Sequence, residues 1–150
     1  MDVYTMGKFM IFLRTFTLTF LVFISSAVQC VEVTSSVNSV NLFIKAFNSQ
    51  NSHDMAKLVA DDIEWLSISG DKVMVESKGK DNLVASMNAY FTSCPTCRSK
   101  LSSVASTGNR ISAVETASWQ GKNGIQSQKA ISVYEFSNGL INRVYYFSAE

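Results

Sequence analysis

Histidine and proline occur once each in this chain, and cysteine three times. So little imidazole and thiol leaves almost no material for a metal centre. A nucleophile–histidine–acid triad would have to be built on His53 alone. His53 reads instead as a surface or capping residue in the first turn of a helix. One Pro beside 7 Gly excludes collagen-like and linker-like sequence. Neither sign of charge is in surplus, with 13 Lys and Arg against 12 Asp and Glu. That balance excludes a basic nucleic-acid surface. A hydrophobic fraction of 47% excludes an acidic disordered chain. No phosphate loop or dinucleotide fingerprint is present, so no cofactor is expected.

What remains is a chain of 150 residues, the length of one domain, without internal repeats. Its first segment reads as an address. Residues 9–24 are mostly apolar, preceded by Lys8 and interrupted by Arg14, and they end in Ser25-Ser26-Ala27. A basic start, a short apolar middle and a small-residue exit are the pattern of a secretory signal peptide. A membrane anchor wants about 20 apolar residues, and Arg14 cuts this run short. Cys30 would suit a lipoprotein, but Gln29 precedes it where a small residue is normal. The expectation is cleavage after Ala27, with Met1 or Met6 as the start. The product would be exported, periplasmic or secreted, with no stable membrane anchor. Residues 28–36 then form a lead-in and 37–150 the domain.

Within the domain, Val37, Val40, Phe43, Ile44 and Phe47 recur at helical spacing. Ser52 is expected to cap a second helix that Asp61-Asp62 closes. Ile63 to Ile68 reads as a strand, and Val73 to Glu76 as a short extended piece. Gly79-Lys80-Asp81 opens a third helix, and Pro95 stops it. Beyond it the pattern is all strand: 98–106, 110–119, 126–136 and 140–147, with turns at Gly108, Gly121–Gly124 and Asn138-Gly139. Helices first and an antiparallel meander afterwards make the class α+β.

Several phrases carry a resemblance: Phe43-Ile44-Lys45-Ala46-Phe47, His53 to Leu58, Val59-Ala60-Asp61-Asp62, Gly79-Lys80-Asp81, and Val133 to Ile141. In that order they resemble the nuclear transport factor 2-like superfamily, and within it the SnoaL-like group that includes polyketide cyclases. The resemblance covers about residues 37–148. It implies a cone: a curved antiparallel sheet packed on three helices, open at one end as an apolar pocket. Members include isomerases, cyclases, dehydratases, epoxide hydrolases and non-catalytic association domains, so the fold does not choose the function. The ketosteroid isomerases' donor tyrosine falls here on Phe43, their proton-shuttling aspartate on Ser67, and their second acid on Ser132. None of the three can do the isomerases' acid–base work. As pocket positions they remain candidates to touch a ligand.

The most informative strand is 110–119. One side carries Ile111, Ala113, Glu115, Ala117 and Trp119, the other Ser112, Val114, Thr116 and Ser118. If the first side faces the interior, Glu115 is a carboxylate among apolar groups. Such a group is costly to keep charged without donors. It is also the candidate general acid or base, with an alternative role in orienting structure or ligand. The same parity places Ser132, Tyr134, Val144 and Tyr146 inside, where two phenols could bond Glu115 or a ligand. Trp65, Phe47, Tyr90, Phe91 and Trp119 are divided between core and pocket lining.

The opposite sheet face carries Ile131, Val133, Tyr145 and Phe147, too many apolar groups for a solvated surface. A homodimer through that face is the expected partner arrangement. Cys94-Pro95-Thr96-Cys97 has redox spacing, but it follows a helix and so lacks the activating helix N-terminus. A structural disulfide, free thiols and a redox or metal role all stay open. The function that emerges is to hold a small apolar organic molecule, with or without acid–base chemistry of the isomerase, cyclase or hydrolase type. A non-catalytic interaction module with a filled cone is the alternative.

Overall fold

The computed structural model describes residues 25–148. The apolar leader up to residue 24, and with it the start site, lies outside the described residues. The elements are α1 (Ser25–Asn48), α2 (Ser52–Ala56), β1 (Val59–Ser69), β2 (Lys72–Lys78), α3 (Lys80–Ser93), β3 (Arg98–Thr107), β4 (Arg110–Gly121), β5 (Gly124–Ser137) and β6 (Leu140–Ser148).

The residues expected as a lead-in are helical, because α1 starts well before Val37. Ser, Thr and Val each cost only a few tenths of a kcal/mol in a helix, which a packed continuation offsets. Val40, Phe43, Ile44 and Ala46 form its buried stripe. The helix ends in two backward bonds, Gln50 N–H to Phe47 O and Asn51 N–H to Ala46 O, with Gln50 left-handed at φ 55°.

Two local expectations are corrected. Asn51, not Ser52, caps α2, its side chain accepting from Asp54 N–H at 3.0 Å. Ser52 Oγ is turned instead toward α3 and donates to Asn88 Oδ1 at 2.7 Å. Asp61 and Asp62 do not end α2, which stops at Ala56; they belong to β1. They sit where β1 loses register with β6, between Val59 and Glu64, so side chains that suit a sheet poorly are placed off the ladder.

The sheet has the order β2-β1-β6-β5-β4-β3. It is mixed, not wholly antiparallel, since β1 and β6 run parallel. The chain leaves one edge through α3, enters the other edge at β3 and returns by hairpins to β6. Side-chain periodicity shows that these segments are strands but not which partner each takes. The expected turns at Gly108 and Gly139 are present, and another lies at Gly70, each glycine with positive φ.

One sheet face packs on the helices. Ile63, Ile111, Tyr134, Phe136, Ile141 and Val144 meet Val40, Phe43, Leu83 and Phe91 there in a single core. Phe47 seals the α3 side, its ring 5.4 Å from Phe91 and 5.9 Å from Tyr90. The outer face carries apolar residues too, but Ile131, Val73 and Val75 stay exposed. Cys94 and Cys97 are joined as a disulfide between the end of α3 and the start of β3.

Candidate functional site

Strand pairing assembles the site. On β4, Ile111, Ala113 and Glu115 point to the helix-packed face and are buried. Opposite them on β5 stand Tyr134, Ser132 and Ala130. Tyr134 and Ser132 then pair with Val144 and Tyr146 of β6, which pair with Trp65 and Ser67 of β1. The expected interior parity therefore holds across four strands.

Glu115 is only 9% exposed. Its Oε2 accepts a hydrogen bond from Tyr134 Oη at 3.2 Å, and its Oε1 accepts one from Ser99 Oγ. Two hydroxyl donors occupy part of the carboxylate's capacity, which is about four acceptor sites. No lysine or arginine pairs with it: the ion pairs of the described residues are elsewhere. Outer-face Glu64, by contrast, takes Lys78 at 2.9 Å and Arg143 at 2.8 Å. The Lys78 ammonium first, and Arg143 next, hold Glu64 below the usual carboxylate range.

Ser99 and Asn48 are site residues that the sequence reading missed. Asn48, in the last turn of α1, donates from Nδ2 to Ser99 O at 2.8 Å. Its Oδ1 accepts from Ser99 N–H at 2.7 Å. It thus gives the edge strand β3 a substitute for a neighbouring strand, and this holds Ser99 beneath Glu115. The signal available was period two: Ser99 and Leu101 alternate with Arg98 and Lys100. The Asn48 contact spans 51 positions and has no local signature.

Three phenols surround the carboxylate electrostatically. Tyr134 is 1% exposed, and burial, then the charge of Glu115, pushes its hydroxyl well above its ordinary range. Burial and then Glu115 push Tyr146 up to about 12. The same two causes raise Tyr90. Of the three, Tyr134 donates to Glu115 Oε2 and Tyr90 to Cys97 Sγ, each at 3.2 Å. Ser132 Oγ is fully buried, and its interaction with the Tyr134 hydroxyl works against that upward shift.

The remaining expected site residues divide. Phe43 is buried, its ring 6.1 Å from Tyr134 and 6.2 Å from Trp65, so it backs the site as packing. Trp65 and Ser67 are half-buried on β1. Trp119 shares the face of Glu115 but stands four residues along, roughly 13 Å at strand rise, near the β4–β5 hairpin. It belongs to the rim and not to the hydrogen-bonded group. Cys97 Sγ, within the disulfide, accepts from Tyr90 Oη at 3.2 Å. His53 is exposed in α2 and joins no site.

Two clefts open on the far side. One of about 240 Å³ is lined by Ala60, Asp61, Asp62, Asn138 and Asn142, with Ser137 and Leu140. Another of about 290 Å³ lies between Asp61, Gly79, Lys80, Asp81 and Asn82. Neither reaches Glu115. Among the described residues no cluster of three or more His, Cys, Asp or Glu could hold a metal ion.

The chemistry open to this arrangement is narrow. A buried carboxylate can accept a proton or a donor from a bound molecule, and neighbouring phenols can donate to a developing negative charge.

The fold recurs in solved structures. A protein of unknown function from Burkholderia pseudomallei, described as NTF2-like, is 18% identical, with a TM-score of 0.65 over 77% of this chain and 91% of its own. A cystatin-fold protein from Novosphingobium aromaticivorans is 17% identical, with a TM-score of 0.65 over 74% and 96%. An epoxide hydrolase from M. tuberculosis is 13% identical, with a TM-score of 0.64 over 79% and 85%. At such identities the likeness is one of fold. No curated protein matches the chain in sequence. The SnoaL-like domain family matches residues 40–144, and the chain belongs to that family.

Proposed function

We propose that this SnoaL-like domain holds a small, largely apolar organic molecule against Glu115, at the side of the core bordered by Ser67, Tyr90 and Tyr146. One observation carries the reading. A buried carboxylate is kept on the inner sheet face by two hydroxyls, where apolar residues of similar volume would stabilise the fold at least as well. If the molecule is transformed, Glu115 is the acid or base and Tyr134 or Tyr146 the donor. The reaction class is then isomerisation, cyclisation or hydrolysis. An epoxide hydrolase among the structural neighbours supports that range without selecting from it. The Cys94–Cys97 disulfide supports an exported protein.

The test is a thermal-shift screen of residues 28–150 against small apolar molecules, neutral and amine-bearing. A compound at about 100 times its Kd adds roughly 2.7 kcal/mol of stability. Turnover, where present, should vanish in Glu115→Gln. A library-wide absence of shifts would overturn the reading.

A second reading is favoured by the outer face. Val73, Val75, Ile131 and Phe147 are exposed there, and Ile68 links them through its pairing with Val73 and Phe147. A row of ion pairs, Lys78–Glu64–Arg143 and Arg110–Glu135, borders this patch. An apolar centre with a rim of both signs suits a second copy of the same face. Sedimentation of the native chain and of Ile131→Glu tests it: a dimer that Ile131→Glu dissociates supports it, and a native monomer at high concentration sinks it.

A further inference from the structure

We propose that Cys94–Cys97 is a thiol–disulfide exchange site, at which the thiolate of a small thiol of the glutathione class attacks Cys94 Sγ and Cys97 leaves. The site is the loop between α3 and β3, and its chemistry is independent of any ligand held against Glu115.

The loop is held in place by more than its disulfide. Cys94 N–H donates to Tyr90 O at 2.8 Å, and Cys97 N–H to Cys94 O at 3.1 Å. Gln50 Nε2, in the turn after α1, donates to Pro95 O at 2.7 Å. Arg98 Nη1 donates to Pro95 O at 3.1 Å and to Cys97 O at 2.6 Å. Thr96 Oγ1 accepts from Gln120 N–H of β4 at 3.0 Å. A disulfide restrains the unfolded chain more, the longer the loop it closes. This one joins residues only three apart in sequence. As a staple it therefore adds little to a loop that hydrogen bonds fix on three sides, and stability alone does not account for it.

The two sulfurs differ in the way that exchange requires. Cys94 is half-buried among exposed residues, Thr92, Ser93, Pro95 and Thr96, whereas Cys97 is 6% exposed. An incoming thiolate therefore meets Cys94. The sulfur that leaves must carry negative charge, and it leaves faster the more stable its thiolate. Cys97 Sγ accepts a hydrogen bond from Tyr90 Oη at 3.2 Å, and the Arg98 guanidinium is anchored on the Cys97 carbonyl. A donor at sulfur and a neighbouring positive charge both favour the thiolate. They stand in for the helix N-terminus that this motif lacks. Attack forms a bond between the small thiol's sulfur and Cys94 Sγ and breaks the Cys94–Cys97 bond, leaving its electron pair on Cys97 Sγ. A second thiolate attacks the small thiol's sulfur in the mixed disulfide and releases Cys94 as a thiolate. Two small thiols are thus oxidised to one disulfide, and the protein's disulfide is reduced to two thiols. The protons that the small thiols gave up end on Cys94 and Cys97.

The experiment follows reduction by glutathione at neutral pH in the full chain carrying Cys30→Ser, which leaves Cys94 and Cys97 as its only cysteines. The rate constant is measured for the folded chain and for the chain unfolded in urea. The folded chain should be reduced as fast as the unfolded one or faster. Tyr90→Phe keeps the ring that packs on Phe47 and Phe91 and removes the donor to sulfur. It should slow reduction of the folded chain about fivefold, the worth of one hydrogen bond, and leave the rate in urea unchanged. Single-cysteine chains test the order of the sulfurs: Cys94 in Cys97→Ser should react with an aromatic disulfide about tenfold or more faster than Cys97 in Cys94→Ser. A folded chain reduced about tenfold or more slowly than the unfolded one holds a shielded structural bond, and the proposal is overturned. A folded-state rate that Tyr90→Phe does not move, or a Cys97 that reacts as fast as Cys94, overturns it too, because the sulfurs then lack the roles that make the site.

Discussion

The two faces of one sheet solve the same electrostatic problem differently. On the outer face, Glu64 and Glu135 stand in pairing registers beside Arg143 and Arg110, and each carboxylate has a guanidinium within 3.0 Å. On the inner face, Glu115 pairs with no guanidinium or ammonium group among the described residues and is held by hydroxyls. The outer pairs are half-wet, screened by salt and individually weak. They set the register and the rim of a surface. The inner carboxylate is shielded from water, so its charge acts strongly on whatever approaches. The difference teaches how a carboxylate is held: by cations on the wet outer face, by hydroxyls on the dry inner one.

The largest expected effect tests whether the inner face is the stability core. Phe43→Ala removes a ring wedged between Trp65 and Tyr134 and should cost about 3–5 kcal/mol in urea unfolding. Phe147→Ala on the outer face, where the ring is 38% exposed, should change monomer stability by less than about 1 kcal/mol. If the two cost the same, the inner face is not the stability core.

Next come the carboxylates. Glu115→Ala leaves Ser99 Oγ and Tyr134 Oη without their acceptor in a buried setting, and should cost about 2–3 kcal/mol, little changed between low and high salt. Glu64→Gln should cost less, and its effect should shrink in high salt. A salt-sensitive Glu115→Ala would show that water and ions reach the inner group. Asn48→Ala, which frees the Ser99 backbone from α1, should cost about 1–3 kcal/mol. It should also raise hydrogen exchange at the Ser99 amide more than at amides of β5.

Much of this could be read in the chain, and the failures share a cause. Alternation along 110–119 announced that Glu115 shares a side with Ile111 and Ala113, and alternation along 126–136 and 140–147 brought in Ser132, Tyr134 and Tyr146. Those are short-range patterns. The parallel β1–β6 pair, the Asn48 clasp on Ser99 and the Ser99 bond to Glu115 are contacts between distant segments. Periodicity gives the face of a residue and not its partner. Asp61-Asp62 misled because acidic pairs suit helix ends and turns, while here they occupy a register lapse in a strand. Cys94 and Cys97 left a disulfide, free thiols and a redox or metal role open in sequence, and the structure joins them.

The smallest expected effect is also the most direct reading of the inner charge. Tyrosinate absorbance followed to high pH should show Tyr146 ionising near 12, and Tyr134 only as the fold opens. A phenol whose proton is held more tightly when folded contributes stability that is complete below its unfolded value of about 10. That contribution is lost as pH rises through the folded value. Alkaline unfolding should therefore set in between these two limits. Glu115→Gln removes the second cause of the Tyr146 shift and leaves the first, burial, in place. The midpoint should then fall only part of the way toward 10. A Tyr146 midpoint that Glu115→Gln does not move would mean that the carboxylate's field fails to reach the phenol, and the inner face would lose its electrostatic distinction from the outer one.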